Sequence, residues 1–361
     1  MWPKHVSHRI RGKHRVVVLS GLLVFVIVLG PASTWVRVWA IRSQPAQNST
    51  PQLPGYLSFV RVFSSADDVK TVHPLFDRAL DIIAGPAEPV TRVDALQSPS
   101  AVATDSKQRI FIADPGARAV HIFDFIGSKY GRLVGHGERL HAPTSLSVDG
   151  QDNLYVVDQS SKTVLVYDSA GKFHRELGKL RGGESYFDSP AGIAIDKAKG
   201  HIYVCDRLGH MIFVLDQKGK LIRKLGNRGG GERPGEFRLP SQVVVAGREL
   251  FVLDAGNMRI QVLDTAGRFL RAIHLDYADL RTGLAVDNQN HIYVSDPVLN
   301  KIQVFSHDGQ MLYTFDASTI KGATFGHPSG MWADSGHALF VVDSQEHRVG
   351  MFEIKAEKAH F

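Results

Sequence analysis

Six aspartates punctuate the chain at Asp114, Asp158, Asp206, Asp254, Asp296 and Asp343, spaced by 44, 48, 48, 42 and 47 residues. Four or five positions after each stands a basic or hydrogen-bonding side chain: Arg118, Lys162, His210, Arg259, Lys301 and Arg348. A carboxylate at a turn accepts backbone N–H groups, and a long cation beside it pairs with the acid or covers apolar surface. These recurrent pairs are therefore expected to serve the structure. Guanidinium and imidazole groups offer directed donors to an anionic or peptide ligand. On that ground Arg118, Arg207, His210, Arg259 and His347 are the candidate binding residues.

Seventeen histidines raise the question of a metal. His5, His8 and His14 fall in the N-terminal tail, and His201 and His291 occupy equivalent places before two matching segments. If imidazoles from different repeats converged on zinc, His141, His210, His327 and His347 would be the ligands. The single cysteine, Cys205, allows no internal disulfide, and its apolar neighbours make it a small buried hydrophobe. Gly229-Gly230-Gly231 lacks the Lys-Ser/Thr of a phosphate-binding loop, so it reads as a flexible loop, and no Gly-x-Ser-x-Gly elbow occurs. No catalytic residue, resident metal or cofactor is expected.

The elements that position these groups repeat with the aspartates. Each of those aspartates ends an apolar-aromatic-apolar-x-Asp segment, as in Leu154-Tyr155-Val156-Val157-Asp158 and Ile202-Tyr203-Val204-Cys205-Asp206. Before it comes Pro with small and apolar residues, as in Pro143-Thr144-Ser145-Leu146 and Pro240-Ser241-Gln242-Val243; the fifth unit departs, with Arg281-Thr282-Gly283-Leu284. An alternating segment follows, such as Arg259-Ile260-Gln261-Val262-Leu263. A turn of the type Asp264-Thr265-Ala266-Gly267 then leads to a fourth run. Four antiparallel strands recurring about every 45 residues describe a propeller blade, and radial closure removes the exposed edges of an open sheet. The expectation is an all-β, six-bladed β-propeller of four-stranded antiparallel blades over 99–352, followed by a tail at 353–361.

This pattern resembles the NHL-repeat family of six-bladed propellers, in all six units and at several positions in each. The stretch Asn227–Phe237 (NRGGGERPGEF) is a further family-like loop between blades. Zinc-dependent lyases share that propeller and place ligand histidines after the inter-blade proline. Here Ser100, Thr144, Ala191, Ser241 and Ser329 stand in those places. Calcium-dependent propeller lactonases need carboxylates on the inner strands, which this sequence does not supply.

The sixth unit stops after its third strand, so residues 56–98 must supply the strand that closes the ring. Ala79–Gly85 resembles a fourth strand and is expected to pair with Arg348–Phe352, with Leu57–Phe63 as the competing candidate.

The net charge of +6 lies in the N-terminal tail: residues 1–45 hold seven Lys/Arg and no acid. A nucleic-acid-binding body would carry its own basic face, so nucleic acid is not the expected partner. Five of those cations, in residues 1–15, precede an apolar run over 16–36, long enough for one transmembrane helix. The basic flank directs a single-pass anchor in the cytoplasmic membrane with the body on the extracytoplasmic, periplasmic side; a signal peptide cut after Val38-Trp39-Ala40 is the alternative, with the body on the same side. A polar, proline-containing linker occupies 37–55.

Alternating strand direction gathers the long loops between blades and the turns after the repeat aspartates on one face. Function is expected there. The expected role is a binding or scaffolding module for a protein or peptide partner of the cell envelope. A metal-dependent lyase or lactone hydrolase on the same face is the alternative, and a ligand-binding sensor domain the third reading.

Overall fold

The computed structural model describes residues 23–26, 39–42, 53–69, 94–134, 140–180, 182–322 and 324–355. The chain forms two compact units, Met1–Thr50 and Pro51–Phe361. In the first, Leu23–Val26 pairs antiparallel with Trp39–Arg42. The expected helix over 16–36 is thus corrected at Leu23–Val26, where β-branched and aromatic side chains favour extended backbone. The rest of that span lies outside the described residues. No described helix is long and apolar enough to cross a membrane.

The second unit is a ring of six four-stranded antiparallel sheets. The innermost strands are Ala101–Thr104, Pro143–Val148, Pro190–Asp196, Pro240–Ala246, Leu284–Val286 and Pro328–Ala333. Each lies against the next around the axis, and Pro328–Ala333 returns to Ala101–Thr104. In the third blade the order outward is Pro190–Asp196, His201–Asp206, Met211–Leu215 and Leu221–Gly226, with Ile193 opposite Val204, Val204 opposite Phe213 and Phe213 opposite Lys224. The middle strands read as unbroken apolar runs because both their faces are covered. The outer strand alternates because one face meets solvent.

Six apolar clusters fill the six gaps between blades. Strand periodicity sends Leu154 and Val156 into the gap toward the first blade, while Tyr155 and Val157 face the third. Cys205 is fully buried in the gap between the third and fourth blades, and burial pushes its thiol far above the ordinary range. Trp332 sits between the sixth and first blades and donates its indole N–H to Thr104 Oγ1 at 3.0 Å.

Ring closure differs from the expected pairing. Arg348–Ile354 takes Leu57–Phe63 as its outer neighbour, with Val349 opposite Phe63 and Ile354 opposite Leu57. Leu57 and Phe63 are buried, Phe63 packs on Phe123 and Phe125 of the first blade, and Phe59 meets Phe352 edge-on. Ala79–Gly85, the segment first expected there, lies outside the described residues. The aromatic side chains of Leu57–Phe63 fill the gaps on either side of the sixth blade. Ala79–Gly85 carries no aromatic residue to do so.

Candidate functional site: the axial mouth

The repeat aspartates build the loop-rich face from within. Asp158 accepts N–H groups from His141, Ala142 and Ser161, and Asp206 from Asp188, Ser189 and Gly209. Each carboxylate thereby ties the loop entering its blade to the turn leaving its second strand. Asp114 holds Gln97, Ser98 and Ala117 in the same way. Burial pushes the Asp114 carboxyl up, but the hydrogen bonds from His121 and those three amides prevail and hold it below the ordinary range. Every one of these turns ends in left-handed backbone, at Arg118, Lys162, His210, Met258, Asn300 and His347, all with φ between 49° and 56°.

The proline that opens an inner strand is followed by a bulge in the second, third, fourth and sixth blades, between Pro143 and Ser145, Pro190 and Ile193, Pro240 and Gln242, and Pro328 and Met331. A bulge re-aims the side chain beside it. Here Thr144, Ala191, Ser241 and Ser329, together with Ser100 of the first blade, line a cavity of about 240 Å³ at the axial mouth. Residues following the repeat aspartates join them: Gln159, Arg207 and Ser344. The fifth blade has Arg281 where the others have proline, and both Leu280 and Arg281 reach the cavity.

The lining is rich in donors. Ser100 Oγ donates to the Thr144 carbonyl at 3.1 Å, binding the first blade to the second. Ser241 Oγ and Thr144 Oγ1 are buried and make no hydrogen bond. Arg207 Nη2 donates to Ser189 Oγ at 3.3 Å, and Arg281 shares its fork with Asp279 at 3.3 Å. Among the described residues, no Asp or Glu lines the cavity.

Of the five residues singled out from sequence, Arg207 alone lines this cavity. Arg118 and His347 are exposed on turns of the same face. His210 Nδ1 accepts the Leu239 N–H at 3.0 Å. Arg259 is buried, pairs with Asp254 at 2.8 Å and donates to the carbonyls of Glu232, Arg233 and Glu236. His210 and Arg259 thus fasten the loop over 227–239. The flexibility expected of its glycine run is restrained there, since Asn257 Nδ2 also binds the Gly231 carbonyl and Gln261 grips Gly235 and Glu236.

Arg281, Gln159 and Ser344 were missed. The signal for Arg281 was the break in the Pro pattern of the fifth unit. Among the described residues, no three His, Cys, Asp or Glu side chains converge as a metal site would require, and His141, His210, His327 and His347 stay on separate loops.

Comparison with known proteins fixes the class. A family profile described as "DUF5128: 6-bladed beta-propeller" matches residues 143–210 and 194–326, together more than half of the chain. The chain belongs to that family of six-bladed β-propellers.

Similar solved structures include virginiamycin B lyase from Staphylococcus aureus, at 13% identity and TM-score 0.53, covering 71% of this chain and 94% of that one. A gluconolactonase from Xanthomonas campestris is 17% identical with TM-score 0.56, covering 72% and 86%. Kuenenia stuttgartiensis hydrazine synthase is 15% identical with TM-score 0.52, covering 76% and 98%. At such identities the likeness is one of fold. No curated protein matches the sequence.

Proposed function

We propose that the chain is an NHL-type propeller tethered to the cytoplasmic membrane by its N-terminal apolar run, and that its loop-rich face binds a protein or peptide partner in the cell envelope. The observation that carries this reading is an arc of exposed apolar side chains on three adjacent blades. Leu208, Met258, Val298 and Leu299 project from the turns after Asp206, Asp254 and Asp296, and Leu280 from the loop entering the fifth blade. Leu208 is 61% exposed and Val298 56%, although each stands on a turn whose aspartate is buried and accepts backbone N–H groups. Apolar groups clustered on one face beside a polar cavity mark an interaction surface. Leu280 is exposed and also lines the cavity, which sets the cavity beside this apolar face.

The second reading, a metal-dependent lyase or lactone hydrolase, draws on the similar folds of a lyase and a gluconolactonase. The separation of the candidate histidines favours the binding reading over it.

The test is co-purification from membranes. The double variant Leu208→Asp/Val298→Asp is expected to lose a partner that the wild-type chain and Ile126→Asp both retain. Ile126 is 72% exposed on the opposite face, in the turn between the third and fourth strands of the first blade. Equal retention by all three proteins would overturn the reading.

A further inference from the structure

The axial cavity holds more than the apolar arc requires, and its chemistry is specific. Two guanidinium groups, Arg207 and Arg281, stand at a mouth that no carboxylate lines among the described residues. The same cavity is lined by two residues whose buried hydroxyls have no partner, Ser241 Oγ and Thr144 Oγ1. Ser241 is only 2% exposed, and a buried hydroxyl without a partner has given up its hydrogen bonds to water with nothing in return. A ligand oxygen accepting from it would make good that loss.

We propose that this cavity is a carboxylate-binding pocket, with Arg207 and Arg281 holding the two oxygens and the Ser241 and Thr144 hydroxyls donating to them. This deepens the proposed function: the carboxylate is an acidic side chain of the partner, presented next to apolar residues that cover the Leu208–Leu280 arc. Three observations favour a carboxylate over phosphate. Phosphate is usually cradled by backbone N–H groups, and the amides of the lining residues Ser98, Gln159, Arg207, Arg281 and Ser344 are already taken, by Asp114, Ala142, Ser189, Asp279 and His327. Arg281 shares its charge with Asp279, and Arg207 spends one donor on Ser189, which leaves a field suited to a single negative charge. Pro99, Ala191 and Leu280 supply apolar walls for a short methylene stem, and about 240 Å³ suits one such group and no more.

The probe is glutarate, titrated into the purified full-length chain and followed by calorimetry and by thermal shift, with inorganic phosphate in parallel. Glutarate is expected to bind and raise the melting temperature, more weakly as salt is added. Arg207→Gln and Arg281→Gln should each weaken it at least tenfold, and Ser241→Ala about threefold. Arg268→Gln, an exposed cation in a hairpin turn of the opposite face, should bind like the wild type. Arg281 is exposed and Arg207 half-buried outside the apolar clusters, so near-ultraviolet circular dichroism should show these variants folded. Absence of glutarate binding, unchanged affinity in both arginine variants, or phosphate binding as tightly as glutarate would overturn the assignment. If glutarate binds as described but does not compete with the partner, the pocket takes a free organic acid and its link to the partner falls. If the partner is retained while glutarate does not bind, the pocket falls and the binding face stands.

Discussion

Asp114, Asp158 and Asp206 each gather three backbone N–H groups in buried surroundings, so one side chain fixes two loops. Replacing Asp158 by Ala orphans the amides of His141, Ala142 and Ser161 and is expected to cost on the order of 3 kcal/mol in urea unfolding. A loss well under 1 kcal/mol would deny the staple.

Acid should act through the same groups. The Asp114 carboxyl is lowered in the fold, so its contribution to stability is complete above the unfolded value of 3.8 and is lost as pH falls through the folded value. Asp114→Asn should therefore flatten the fall of melting temperature below pH 4. Asp334 is the converse case. Asp105, Asp149 and Asp287, in like turns, bond the side chains of Arg109, Asn153 and His291, but the corresponding residue after Asp334 is Ala338. Burial pushes the Asp334 carboxyl up against the pull of the Ala338 and Gly336 amides and His337. Its ionisation above pH 4 therefore opposes folding. Asp334→Asn is expected to raise the melting temperature at pH 7 and to change it little at pH 3; lower stability at pH 7 would contradict this.

At the scale of elements, Leu57–Phe63 decides whether the ring is closed. Its removal leaves the edge of Arg348–Ile354 bare and empties aromatic side chains from two gaps between blades. Deleting residues 53–64 should abolish cooperative unfolding, and Phe63→Ala alone should cost about 3–5 kcal/mol. A single sharp transition after the deletion would mean that another segment closes the ring.

The blades were legible because a strand covered on both faces must be an apolar run, and a turn Asp after it is hard to replace. The closing strand was not, since Leu57–Phe63 and Ala79–Gly85 both carry strand patterns and only packing against Phe123, Phe125 and Phe352 selects between them. The hydroxyl ring after the prolines and Arg207 could be read from spacing. The pairing of Arg259 with Asp254 was also legible from spacing, but the grip of His210 and Arg259 on the 227–239 loop was not, because the amide and carbonyls they bind there lie more than twenty residues away. Arg281 was visible as a departure from the repeat, yet its reach into the cavity depends on the fifth inner strand beginning late, at Leu284.

At the scale of the whole molecule, a ring of blades offers one face with long loops and another with tight turns, and the two differ in what they expose. The basic tail and apolar run of residues 4–36 lead to an expected location: alkaline carbonate extraction should leave the chain in the membrane pellet. Release into the supernatant would remove the tether from the account and leave the binding face untouched.

The central claim is that the loop-rich face is covered in the cell. Two methionines make this directly measurable. Met258 lies in the apolar arc and is 51% exposed, while Met311 lies on an outer strand and is 46% exposed. Mild oxidation of the purified chain should modify both at similar rates. In intact envelopes, Met258 is expected to be protected several-fold while Met311 reacts as before. Equal oxidation of the two in envelopes would contradict the account.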